Sequence, residues 1–232
     1  MRIDDFIVLG RTTPVKSKKY GHCVCVAGYS EELGQFVRIF PTKINSKIKT
    51  LCKVSVEVER KAEDKRAESW ALKSRTESSI LSVSKPLNKM EILPILKNNT
   101  SSSTTELNTP DKFGKKASLG IIKPELFEIV TEQRKEFTQH NSGIKTMDSF
   151  PIVPRLELPR HEGMAKREQT RFMINEWGVY QLMSKYETAG KTLTATDIKN
   201  ALHIKDGKEV YFLVGNMKNI KNVWLVIKVF TF

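Results

Sequence analysis

Four short apolar runs, at residues 6–9, 22–27, 35–40 and 52–59, fall within the first sixty residues with no helix-period segment between them. Parallel strands need a crossover of a dozen or more residues, usually a helix, so this spacing excludes a parallel α/β sheet in that half. It leaves antiparallel hairpins. The stretch 20–42 reads as one hairpin: an apolar run, a turn holding Gly34, then a second run in which Pro41 is expected to end the strand, since proline donates nothing to a ladder. Residues 52–59 alternate cleanly as a half-buried strand. Further strands are read at 209–215 and 223–230, separated by Asn216 and a basic stretch at 218–221. Short apolar segments at 80–83 and 90–96 fit a strand or a short helix.

Helical spacing is clearest at residues 170–186, where Phe172, Val179, Leu182, Met183 and Tyr186 recur, with Trp177 and Gly178 interrupting. A second short helix is read at 196–202, with Thr194 or Thr196 as its N-cap. The polar tract 98–105 carries no large apolar residue and reads as a linker or an insertion loop. The expected fold is therefore mainly β with some helix: two small β-barrels or sheet-rich domains built from antiparallel hairpins. The expected division is an N-terminal β domain at 1–97, a polar linker or insertion at 98–116 and a β-rich domain with a helix at 117–232. No internal repeat is visible in the sequence.

The second hairpin strand carries Arg38 among apolar neighbours. A buried unpaired charge is costly, so Arg38 either faces solvent on an open sheet face or meets an anion. Its neighbourhood favours an anion. Residues 6–56 hold nine basic side chains, Arg11, Lys16, Lys18, Lys19, Arg38, Lys43, Lys47, Lys49 and Lys53, against Glu31 and Glu32 alone. The net charge of +13 over 232 residues extends the same bias to the whole chain and suits a polyanion partner. Cations interleaved with Tyr20 match what nucleic-acid backbone and base contacts require. This signal does not choose DNA over RNA.

Catalytic signatures are sparse. There is no phosphate loop and no Gly-x-Gly-x-x-Gly. His161-Glu162 lacks the second histidine of a zinc-protease helix. Glu63-Asp64-Lys65 resembles part of a metal-dependent nuclease site, but no aspartate lies in residues 6–62 to complete it. Asp64 and Glu68 are the weak catalytic candidates. The cluster around them has two readings: Arg66 contacts phosphate while Trp70 stacks on a base, or Asp64, Arg66 and Glu68 pair with one another while Trp70 fills the core. Glu176, if buried, needs a partner such as Arg171 or Arg167. Gly215-Asn216 reads as a tight turn after a strand.

Cys23, Cys25 and Cys52 make an odd count, which argues against a disulfide framework. Cys23 and Cys25 point to one face of a strand and read as small buried hydrophobes; no fourth ligand completes a metal site. No cofactor or metal is expected. No run reaches the roughly 18 apolar residues that cross a bilayer, and the N-terminal residues lack a signal-peptide pattern. The expectation is a cytoplasmic protein with no membrane partner.

The succession Cys23-Val-Cys25-Val-Ala-Gly28, Phe36-Val-Arg38-Ile-Phe-Pro41, Asp64-Lys-Arg66-Ala-Glu68-Ser69-Trp70, Ser118-Leu-Gly-Ile-Ile-Lys-Pro124, Glu176-Trp-Gly178 and Phe212-Leu-Val-Gly-Asn216 resembles the dual OB-containing domain family of bacterial conflict and anti-phage systems. The resemblance runs from about residue 3 to 230 and rests on motif order. Phe36 stands where the family pattern has tryptophan. The tract 98–105 looks like an insertion. The resemblance implies two OB-like barrels and a role in sensing nucleic acid in phage defence, with DNA ahead of RNA. Arg38, Arg66, Glu68 and Ser69 fall on its motif positions. Together with Arg11, Lys16, Lys18, Lys19, Tyr20 and Trp70 they form the expected nucleic-acid site. The alternatives are an enzyme acting on nucleic acid, either a nuclease or a base-excising glycosylase, and a protein-binding or inhibitor protein.

Overall fold

A computed structural model describes residues 1–110, 116–137, 143–160, 164, 168–217 and 223–232. The basic stretch 218–221, His161, Glu162 and Arg167 lie outside them. The strands are β1 Arg2–Arg11, β2 Val15–Ser17, β3 Gly21–Ser30, β4 Gln35–Lys43, β5 Cys52–Glu59, β6 Ser69–Leu72 and β7 Ile80–Pro86. Helix α1 Lys89–Asn98, strand β8 Thr100–Ser101 and helix α2 Thr104–Asn108 follow. The second half holds β9 Leu119–Ile122, β10 Glu128–Gln133, β11 Ile152–Glu157, β12 Arg171–Ile174, α3 Trp177–Thr188, α4 Ala195–Ala201, β13 Val210–Asn216 and β14 Trp224–Thr231.

Five strands close on themselves. β1 pairs with β3, β3 with β4, β4 in parallel with β6, β6 with β5, and β5 back with β1. This is an OB-like Greek-key barrel, with β2 and β7 added to it at its margins. Its interior is filled by Ile3, Phe6, Val24, Val26, Val37, Ile39, Val54 and Val56, the inward members of alternating strands. Gly28 sits where β3 crosses β1, and a Cβ there would stand 2.0 Å from the Ile7 carbonyl oxygen.

The second sheet runs β10-β11-β12-β14-β13-β9-β8. Its strand order repeats that of the barrel once β9 and β10 are counted as two halves of one strand, broken around Pro124. β9 pairs with β13, β10 pairs with β11, and β12 runs parallel to β14 as β4 does to β6. The chain is thus two OB-like units of the same winding. Helices α3 and α4 lie between the third and fourth strands of the second unit, where the first unit has only a turn at 44–51. A third apolar cluster joins the units: Ile7, Leu9 and Ala27 of the first meet Leu119, Ile121, Leu213 and Ile227 of the second, with Ile92, Ile95 and Leu96 of α1 beside them. Gly10 makes the approach possible, since a Cβ there would lie 3.0 Å from Ile227 Cγ2 and from Lys228 Cβ.

Several expectations shift. Residues 171–174 form a strand, not the start of the helix. Phe172 and Ile174 alternate inward there, and helical spacing begins only at Trp177, with Val179 and Met183 buried. β4 runs through Pro41 to Lys43, because a bulge sets Phe40 and Pro41 opposite Cys25 alone and removes the need for a donor at the proline. Gly215 and Asn216 end a strand rather than making a turn. Part of the polar tract is ordered: Ser103 caps α2 by accepting from the Glu106 amide, and Thr100 and Ser101 pair with β9. Residues 90–96 are helical, opened by an Asn88–Glu91 capping box. Thr194 is the N-cap of α4, as the sequence suggests.

Gly28→Ala is expected to destabilise the chain by about 3 kcal/mol or more, because a backbone oxygen cannot move aside. Gly34→Ala, at φ +58° with open space around it, should cost only about 1–2 kcal/mol. Thermal melts of the two variants against the parent check the contrast.

Candidate functional site

The residues singled out by sequence separate into two places. Arg38, Asp64, Arg66, Glu68 and Ser69 come together, but inside the seam between the two units. Arg38 is 3% exposed. On β4 it lies between Ala27 of β3 and Ser69 of β6. Its Nη2 donates to the Ser118 carbonyl at 2.6 Å. Gly215 leaves the space for this reach, since a Cβ there would stand 3.1 Å from the same nitrogen. Arg38 Nε and Nη1 have no hydrogen-bond partner among the described residues. Burial pushes the guanidinium pKa down; Arg66 adds to that, while Glu68 and Asp64 oppose it.

Glu68 answers from the turn just before β6. Its carboxylate accepts from the Ser118 amide at 2.7 Å and from the Ser118 hydroxyl at 2.8 Å. Arg66 forks onto Asp64, Nε to Oδ1 at 2.9 Å and Nη2 to Oδ2 at 2.6 Å, and its Nη1 reaches the Asn216 carbonyl at 3.0 Å. Burial alone would push the Asp64 carboxyl up, but the Arg66 hydrogen bonds and charge outweigh it and hold the pKa at about 2. Both carboxylates offered as catalytic candidates are therefore engaged, Asp64 by Arg66 and Glu68 by Ser118.

A second part of the seam involves Glu176, which is 2% exposed. Its partners are Lys228 and the Val229 amide, at 3.0 Å for the latter. Arg171 is committed elsewhere, to Glu157 and Glu132. Burial pushes the Glu176 pKa up and Lys228 opposes it. Thr13 donates its amide to the Asn175 carbonyl at 3.3 Å, and Arg11, also buried, lies 4.6 Å over the Trp177 ring while donating to the Ile44 carbonyl. Trp70 lies in the first barrel's core, 7% exposed, under the Arg60 guanidinium at 3.5 Å.

The exposed group is different. Lys16 and Lys18 stand at the surface on and after β2, and Lys19 and Tyr20 follow them into β3. Three cations from three segments converge on the Tyr20 ring: Arg75 at 4.9 Å, Lys61 at 5.5 Å and Lys19 at 5.6 Å. Lys61 also lies 5.0 Å from the half-buried Phe40 ring. Glu63 is the acid beside them; its own backbone amide holds its pKa down, and Lys19, Lys61 and Arg75 add to that. The Tyr20 hydroxyl is sequestered from solvent and has no hydrogen-bond partner among the described residues. Sequence reasoning found Lys16, Lys18, Lys19 and Tyr20 but not Lys61, Phe40 or Arg75. The latter lie 20 to 55 residues away, and only barrel closure brings them near.

Cys23 and Cys52 are buried, Cys25 is half-buried, and all three are free thiols; burial pushes Cys23 up to about 11. Among the described residues no group of three or more His, Cys, Asp or Glu side chains is placed to hold a metal ion, and no helix is long and apolar enough to cross a membrane.

Residues 3–97 match a family model described as a domain of unknown function, DUF8758. The match spans the first barrel, β7 and nearly all of α1. No curated protein and no solved structure matches the chain.

Asp64 titrates near 2 in the folded chain against an ordinary 3.8. Its folded pKa is depressed, so its contribution, about 2 kcal/mol, is complete above the ordinary value and is lost as pH falls through about 2. Denaturation curves between pH 2 and 7 should show Asp64→Asn less stable than the parent at neutral pH, with the gap closing at the acid end.

Proposed function

We propose that the protein is a non-catalytic nucleic-acid-binding module whose contact surface is the aromatic and basic patch around Tyr20. One observation carries this reading. The loops joining the first to the second and the fourth to the fifth strands of an OB-like barrel are those with which such barrels hold oligonucleotides. In the first barrel they are residues 12–20 and 60–68. They supply Lys16, Lys18, Lys19, Tyr20 and Lys61; Arg75 stands over the Tyr20 ring, and Lys61 also reaches the Phe40 ring. Cations on phosphates and rings on bases are the two components of single-strand binding. The buried arginines belong to the scaffold that holds this surface, and they do not touch the ligand. A role as a sensor in phage defence, with DNA as the ligand, rests on the motif resemblance.

Affinity for a fluorescent oligonucleotide, measured across a salt series, tests the reading. Binding should weaken linearly in log–log form with a slope of about −3, since four to five phosphates at roughly 0.7 each are within reach of the patch. Arg75→Ala should make the slope shallower by about 0.7. Absence of binding at low salt, or affinity indifferent to salt, rejects the proposal.

A further inference from the structure

Arg75 reaches the Tyr20 ring from a turn whose backbone its own residues disfavour. Between β6 and β7 the chain makes two short 3-10 turns, Lys73–Arg75 and Glu77–Ser79. Ser74 and Arg75 are both left-handed, at φ +51° and +55°. A Cβ makes that conformation costly, and neither residue is among those that favour it. Two such residues in succession persist only where their surroundings over-determine them. The Ser79 hydroxyl, in a residue 5% exposed, donates to the Lys73 carbonyl and closes the turn on itself. Glu77 then ties the turn to the loop after β4. Its Oε2 accepts from the Ser46 hydroxyl at 3.0 Å and from the Lys47 amide at 3.2 Å. That loop is held in turn by the buried Arg11, whose Nη2 donates to the Ile44 carbonyl at 2.6 Å. The other ion pair of the turn, Lys73 with Glu57 at 3.5 Å, is partly exposed on both sides and contributes little.

We infer that Glu77 is a positioning residue for nucleic-acid binding: it touches no ligand, and by fixing the 73–79 turn it holds Arg75 where a phosphate can meet it. The inference rests on the proposed nucleic-acid function and adds to it a residue outside the contact patch. The sign of its charge makes the role separable from plain electrostatics. A carboxylate two residues from a phosphate-binding arginine repels the ligand, so its charge alone predicts tighter binding once it is removed. Positioning predicts the reverse, because Ser46 and Lys47 lose their acceptor and the strained turn relaxes.

The test uses the full chain and a fluorescent single-stranded oligonucleotide, with affinity read by anisotropy at fixed salt near 0.1 M. Glu77→Gln should bind at least as tightly as the parent, since its amide oxygen still accepts from both groups and the negative charge is gone. Glu77→Ala should bind roughly fivefold more weakly, about the size of one phosphate contact. Glu77→Ala combined with Arg75→Ala should bind no more weakly than Arg75→Ala alone, because both act through one contact. Ser46→Ala, which removes one of the two donors, should give a smaller loss, and it is read in place of Glu77→Ala if that variant melts near the assay temperature. Unchanged or tighter binding by Glu77→Ala overturns the inference, as do equal losses in the Gln and Ala variants or full additivity with Arg75→Ala. In each of those cases salt-dependent binding by the parent leaves the proposed function standing. A parent that binds no oligonucleotide removes both.

Discussion

The Glu68 carboxylate, gripping both the amide and the hydroxyl of Ser118, is the contact on which the arrangement of the two barrels depends. It ties the entry of the last strand of the first barrel to the entry of the first strand of the second. Arg38 completes it from the other side through the Ser118 carbonyl, so one serine is held by three hydrogen bonds from two charged residues. Charged groups taken out of water repay their desolvation only when hydrogen bonds replace the lost hydration. The Asp64–Arg66 fork, with its third arm on Asn216 at the end of β13, does the same from the loop between β5 and β6. Apolar burial by Ile7, Leu9, Leu213 and Ile227 supplies attraction along the rest of the junction. The polar contacts supply register, because a carboxylate and two guanidiniums tolerate few alternative alignments.

The motifs that carry the family resemblance converge on this seam. Arg38, the segment 64–69, Ser118, Glu176 and Gly215–Asn216 are far apart in sequence and adjacent in space. Their spacing therefore reports how the two barrels dock. The residues of the Tyr20 patch, the proposed contact surface, have no comparable signature: a patch of lysines, one arginine and one tyrosine can be assembled from many loop positions. This division explains why a buried arginine looked like the best binding candidate. A cation among apolar residues signals a partner, and here the partner is a backbone carbonyl of the second barrel.

Strand content was legible because alternation survives even where strands are short, as at 52–59. The repeat of strand order was not, since it lies in pairing and winding rather than in residue identity, and the first strand of the second unit is split around Pro124. The strand 171–174 was hidden because Phe172 falls in phase with the helix that follows. The Glu176 partner was missed for a simpler reason: Lys228 is 52 residues away, on a strand whose lysine otherwise reads as an outward-facing residue. In each case the missing information is long-range pairing, which local periodicity does not contain.

The central claim is that the seam docks the barrels while the Tyr20 patch meets the ligand. Backbone amide shifts in a two-dimensional NMR titration with an oligonucleotide test it directly. The expected result is perturbation concentrated at residues 15–22, at Lys61 and at Arg75, with Ser118 and Asn216 unmoved through the first equivalent. Early perturbation at Ser118, Asn216 and Arg38, with 15–22 unchanged, would contradict it.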